Sequence, residues 1–154
     1  MNNKVPRPVD QFSGQHNAHL IPKGLPGAGN LLLLDDKGGA GLPPAPLGIY
    51  VGSRVLEINP EKKEIVWQYT GENSGQPPWS FFTSFVGNVT RLPNGNTLIE
   101  EGMNGRIFQI TPTGDIVWEY LTPFLGGSRI ALYADIYLVC VNPLCLTEPG
   151  LEFS

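Results

Sequence analysis

The sequence predicts an all-β chain of short antiparallel strands, and three observations carry that prediction. Gly (19) and Pro (15) are enriched in 154 residues, yet 41% of the chain is apolar and it holds three Trp. That mixture suits many strands joined by tight turns better than it suits disorder. Large side chains alternate with polar ones in Glu64-Ile65-Val66-Trp67-Gln68-Tyr69 and again in Asp115-Ile116-Val117-Trp118-Glu119-Tyr120, the period-two signature of a strand. Finally, the chain matches itself.

The self-match is extended. Ser53-Arg54-Val55-Leu56-Glu57-Ile58-Asn59-Pro60 aligns with Gly105-Arg106-Ile107-Phe108-Gln109-Ile110-Thr111-Pro112, and a short polar turn then leads into the two Trp-containing segments. The paired prolines are 52 positions apart and the paired tryptophans 51, so only the turn differs in length. Upstream, Leu20-Ile21-Pro22 and Gly29-Asn30-Leu31-Leu32 correspond to Arg91-Leu92-Pro93 and Gly95-Asn96-Thr97-Leu98. The first copy has an enlarged turn, Lys23 to Ala28, and a longer connection, Lys37 to Gly52.

Each copy reads as four strands. Pro93-Asn94-Gly95-Asn96 is a hairpin turn, because Asn and Gly tolerate the positive φ that tight hairpins demand, and Thr113-Gly114-Asp115 serves the last two strands in the same way. The alternation places Ile65, Trp67 and Tyr69 on one face and turns Gln68 and Glu119 away. Four antiparallel strands repeated at about 50 residues describe a β-propeller blade. The expected organisation is a lead-in over 1–13, two blades (14–70 and 85–121) joined by a linking loop within 14–123, and a divergent, irregular segment over 124–154. A sandwich or barrel with accidental self-similarity is the alternative, and ordered matching of strands, turns and tryptophans speaks against it.

Composition removes several function classes. The net charge is −4, with no Lys/Arg run that could follow a phosphate backbone, so nucleic acid is not an expected partner. The longest apolar runs, Leu31 to Leu34 and Ile136 to Val141, are far short of the ~20 residues needed to cross a bilayer, and no membrane partner is expected. The first residues contain no apolar segment that could act as a signal peptide. Cys140 and Cys145, without His neighbours, form neither a zinc site nor a disulfide framework. No metal and no cofactor are expected; Asp35-Asp36 with Gly38-Gly39 lacks the ligand spacing of a calcium loop.

Gly14-Gln15-His16-Asn17-Ala18-His19-Leu20-Ile21-Pro22, Arg91-Leu92-Pro93-Asn94-Gly95-Asn96-Thr97-Leu98-Ile99 and the repeated Arg-hydrophobic-x-x-Ile-x-Pro with Ile-Val-Trp-x-Tyr together resemble the arylsulfotransferase (arylsulfate sulfotransferase) β-propellers over residues 11 to 123. The resemblance implies a six-bladed ring with its chemistry in the central channel. It also implies transfer of a sulfuryl group from an aryl sulfate to a phenol through a sulfohistidine, in a periplasmic or secreted bacterial setting. A neutral imidazole is a competent nucleophile near pH 7, and two successive displacements let donor and acceptor use one channel in turn.

On this resemblance His16 is the catalytic candidate, and Asn17, His19, Asn88, Arg91 and Arg106 are candidate substrate-binding residues. His16 and His19 lie three apart in one strand, so a regular strand would turn them to opposite faces, with His16 at the strand's entry. The second copy has Gly87-Asn88 at that place. Arg54 and Arg106 begin equivalent strands; they could clamp an anion, or, as their repetition favours, pair with a neighbouring blade. Glu100 and Glu101 are adjacent in a strand and make a poor acid/base couple; a strand edge is their expected place. Trp67 and Trp118 are expected between blades. Trp79, in the link, could line an aryl-accepting mouth or pack under the loop.

Two blades cannot close a ring, so the isolated chain is expected to be a weak catalyst, with the remaining blades or self-association covering its faces. The competing functions are a non-catalytic propeller scaffold or ligand-binding module and, more remotely, a quinoprotein-like propeller, whose quinone and calcium ligands are not recognisable.

Overall fold

A computed structural model describes residues 14–36, 52–83 and 86–123. The lead-in, Cys140, Cys145 and the divergent C-terminal segment lie outside the described residues. The first sheet is antiparallel with the order β1 (Gln15–Leu20), β2 (Leu31–Asp35), β3 (Arg54–Asn59), β4 (Glu64–Tyr69). The second repeats it with β5 (Gly87–Arg91), β6 (Thr97–Glu101), β7 (Arg106–Ile110) and β8 (Ile116–Leu121). The architecture is therefore all-β, with no α-helix among the described residues.

The turns form where the sequence places Gly and Asn. Gly95 adopts φ +89° and its N–H donates to Leu92 O at 3.0 Å, while the Asn94 side chain accepts from Asn96 N. Gly114 at φ +98° closes the β7–β8 turn with a bond to Thr111 O.

The repeat holds to the level of irregularities. A register shift falls between Glu57 and Ile58 opposite β4, and another between Gln109 and Ile110 opposite β8, at matching positions. In each the extra residue, Val66 or Val117, is a bulge. Consequently Ile65 pairs with Ile58 and Ile116 with Ile110, while Trp67 pairs with Glu57 and Trp118 with Gln109. The simple alternation that would align Ile65 with Trp67 and Tyr69 is broken by that inserted valine.

The two sheets stack front to back. Directly opposed residues in an antiparallel pair share a face, so Leu32, Leu34, Val55, Glu57, Trp67 and Tyr69 lie on one face of the first sheet. This face meets the side of the second sheet that carries Val89, Arg91, Ile99, Phe108 and Ile110; Leu32, Leu34, Val55 and Tyr69 form one buried core with Val89, Ile99, Phe108 and Ile110, and Trp67 packs against it half-buried. Phe81, from the link, fills its centre with ring centroids 5.5 Å from Tyr69 and 5.6 Å from Phe108. Each such buried aromatic stabilises the fold by about 2–3 kcal/mol. Gly87 lies where a Cβ would run into the Leu34 side chain and the backbone oxygen of Glu100, so only glycine permits this approach of β5.

In a sandwich, two sheets bring their inner faces together. Here the counterparts of Trp67 and Tyr69, namely Trp118 and Tyr120, project from the far side of the second sheet and are 48% and 41% exposed. The other face of the first sheet also holds buried residues, Leu33 and Leu56.

Candidate functional site

The site begins with a defect in β1. His16 pairs with Leu34 and His19 with Leu32, so three steps on β1 match two on β2. Asn17 absorbs the extra residue at φ +48°, a left-handed conformation that Asn tolerates better than most side chains. The bulge changes the geometry expected of a regular strand. His16 and His19 both fall on the face of Leu32 and Leu34, towards the second sheet, instead of on opposite faces. It also redirects Asn17, whose amide donates to Val89 O at 2.9 Å and ties β1 to β5.

His16 is held through one nitrogen. Its Nδ1 lies 2.5 Å from Asp36 Oδ2 and 3.2 Å from Gly14 O. With Asp36 ionised both neighbours are acceptors, which puts the proton on Nδ1 and leaves the Nε2 lone pair as the reactive one. The side chain is 36% exposed while that of Asp36 is fully buried. Burial pushes the Asp36 carboxyl up to about 7, His16 opposes this, and the neighbouring Asp35 adds to it. His19 is arranged in a similar way, with Nδ1 2.8 Å from Asn17 O.

Other candidates are committed elsewhere. Arg91 is buried; its guanidinium donates to Glu57 Oε2 at 2.7 Å and lies over the Trp67 ring at 5.1 Å, joining the two sheets. Arg106 donates to Glu101 at 2.8 Å and to Glu119 at 2.5 Å and covers Phe108. Arg54 pairs with Asp35 at 2.8 Å. Arg54 with Asp35 and Arg106 with Glu101 are thus the same cross-strand pair in both copies, within a sheet and not between sheets. Asn88 sits opposite Glu100 at the place of His16, its side-chain oxygen accepting from Val89 N.

Glu100 and Glu101 are buried in an interior strand, not at an edge, and burial raises the Glu101 carboxyl despite Arg106. Trp79 is 68% exposed; Phe81 is the link residue that packs. Trp67 lies between the sheets, its indole N–H donating to Pro112 O at 2.9 Å. Among the described residues no cluster of His, Cys, Asp and Glu could hold a metal ion, and no helix is long and apolar enough to cross a membrane.

Asp36 is the site residue that sequence reasoning missed. It was visible only as half of an acidic pair before a Gly-rich stretch. Its place beside His16 depends on the β1–β2 register, which the enlarged turn between Ile21 and Asn30 conceals.

No protein-family model matches the chain, and no curated protein does. A crystal structure of a protein of unknown function from Bacteroides caccae is similar, with 18% identity and a TM-score of 0.43. The similarity covers 73% of this chain and 33% of that one, so the chain spans about a third of the protein it matches.

Proposed function

We propose that the chain supplies two blades of a β-propeller of the arylsulfotransferase kind, in which His16 accepts a sulfuryl group from an aryl sulfate and passes it to a phenol. The observation that carries the proposal is the engagement of His16 Nδ1 by Asp36 and Gly14, which leaves Nε2 available. In the first step Nε2 forms a bond to sulfur, the bond from sulfur to the aryl oxygen breaks, and the phenolate leaves. In the second a phenol oxygen attacks sulfur, the N–S bond breaks, and the phenol proton passes to solvent or base. Sulfation at Nε2 makes the ring cationic, and the Asp36 carboxylate at Nδ1 stabilises that charge. Front-to-back stacking supports the propeller reading, since such stacking extends from sheet to sheet.

Arg91 and Arg106 are bound in ion pairs, so neutralising the sulfuryl oxygens falls to other groups. The same observation favours the second reading, a non-catalytic scaffold or ligand-binding module. Release of a coloured phenol from an aryl sulfate, compared between the parent and His16→Ala, separates the two. Turnover lost in the variant supports the enzyme; equal turnover removes His16 from the chemistry.

A further inference from the structure

The bulge in β1 sets two imidazoles on one face, and the transfer to His16 occupies only one of them. His16 and His19 stand opposite Leu34 and Leu32, two residues apart on β2, so the rings are offset along the strand by about 7 Å. Each ring turns back along the chain and meets the carbonyl two residues earlier through Nδ1, His16 at Gly14 O and His19 at Asn17 O, 3.2 and 2.8 Å away. A carbonyl oxygen only accepts, so His19 also carries its proton on Nδ1 and presents the Nε2 lone pair. The two differ in what supports them. His16 has the buried Asp36 carboxylate beside Nδ1, which stabilises the cation that sulfation creates. The described partner of His19 is a neutral carbonyl, which fixes the ring without holding a positive charge on it. A group so placed can take a proton and release it again.

Passing the sulfuryl group on requires a phenol oxygen in line with the bond from His16 Nε2 to sulfur, about 3–3.5 Å from sulfur before reaction. The hydroxyl proton must leave as the oxygen attacks, since a neutral phenol is a weak nucleophile. We infer that His19 Nε2 is the general base that takes this proton, a role that rests on His16 being the sulfuryl acceptor. The phenol oxygen bonds to sulfur, and the bond from sulfur to His16 Nε2 breaks with its electron pair returning to the ring. The phenol proton moves to His19 Nε2, from which solvent removes it. A regular strand would turn the two rings to opposite faces, so the bulge at Asn17 is what brings nucleophile and base to one substrate.

The two half-reactions are measured apart on the full chain. The parent, His19→Ala and His19→Gln are loaded with an aryl sulfate, freed of it, weighed by mass spectrometry and mixed with phenol, with circular dichroism on each. Gln keeps a donor for Asn17 O but is no base. Uptake on His16 is unchanged in both variants, while transfer to phenol near neutral pH falls about hundredfold. Between about pH 7 and about pH 9 the variants' transfer climbs about tenfold per unit with the phenolate fraction, because phenol, like tyrosine, ionises only near 10, whereas the parent's stays nearly level. A parent that takes up no sulfuryl group overturns the base together with the reading of His16. Uptake with transfer equal in all three proteins, or slowed by one factor at every pH, overturns the base alone, since a residue that only supports the strand leaves the shape of the profile unchanged.

Discussion

Tyr69 and Tyr120 hold the same place in the two repeats, yet Tyr69 is 1% exposed between the sheets and Tyr120 is 41% exposed on the outer face. The difference lies in what each side chain meets, since sequence context and strand register are shared. Tyr69 touches Phe81 and Phe108, and its hydroxyl is 2.9 Å from Ser74 Oγ.

Tyr69→Ala is expected to cost about 3–5 kcal/mol through the cavity it leaves. Tyr120→Ala is expected to stay within about 0.5 kcal/mol. Urea unfolding of both variants checks the contrast.

Arg91→Ala strands Glu57 as a buried carboxylate and is expected to cost about 3–5 kcal/mol. The paired change Glu57→Gln with Arg91→Leu puts at each position the residue its repeat counterpart carries, Gln109 and Leu20, and leaves no orphaned charge. Its cost should be smaller than that of Arg91→Ala alone, and a double-mutant cycle measures the coupling.

Much of the fold could be read from the sequence because it depends on local chemistry repeated twice. Pro93-Asn94-Gly95-Asn96, the Thr-Gly-Asp turn and the Trp-containing strands each announce themselves, and the eight strands follow from them. The bulges were hidden, since an inserted Val66 or Val117 looks like one more apolar strand residue and Asn17 like one more polar one. The site was half legible. His16 stood out by its residue type, whereas Asp36 became its partner only through pairing across an irregular turn. The inter-sheet role of Arg91 was invisible because it depends on which faces meet, and nothing local in a strand records that.

Stability should fall as the pH rises from about 4 to about 7. Asp36 moves from an ordinary 3.8 to about 7 in the folded chain. Between those values the folded state keeps a proton that the unfolded state has released, so each step up in pH favours unfolding until the folded pKa is passed. Glu101, also raised by burial, contributes in the same sense. Asp36→Asn removes its share of the slope, which chemical unfolding across that pH range measures.

The same titration governs the nucleophile. A protonated Asp36 donates to His16 Nδ1 and moves the ring proton to Nε2, so sulfation of His16 should accelerate as the pH passes about 7. In Asp36→Asn the acceleration at that pH should disappear, read as single-turnover rates against pH.

The most direct measurement of the central claim is the mass of the intact chain after a single exposure to an activated aryl sulfate, with the modified residue located by fragmentation. The account predicts one added sulfuryl group on His16, absent in His16→Ala and retained in His19→Ala. An unmodified parent, or an adduct that persists in His16→Ala, would contradict it.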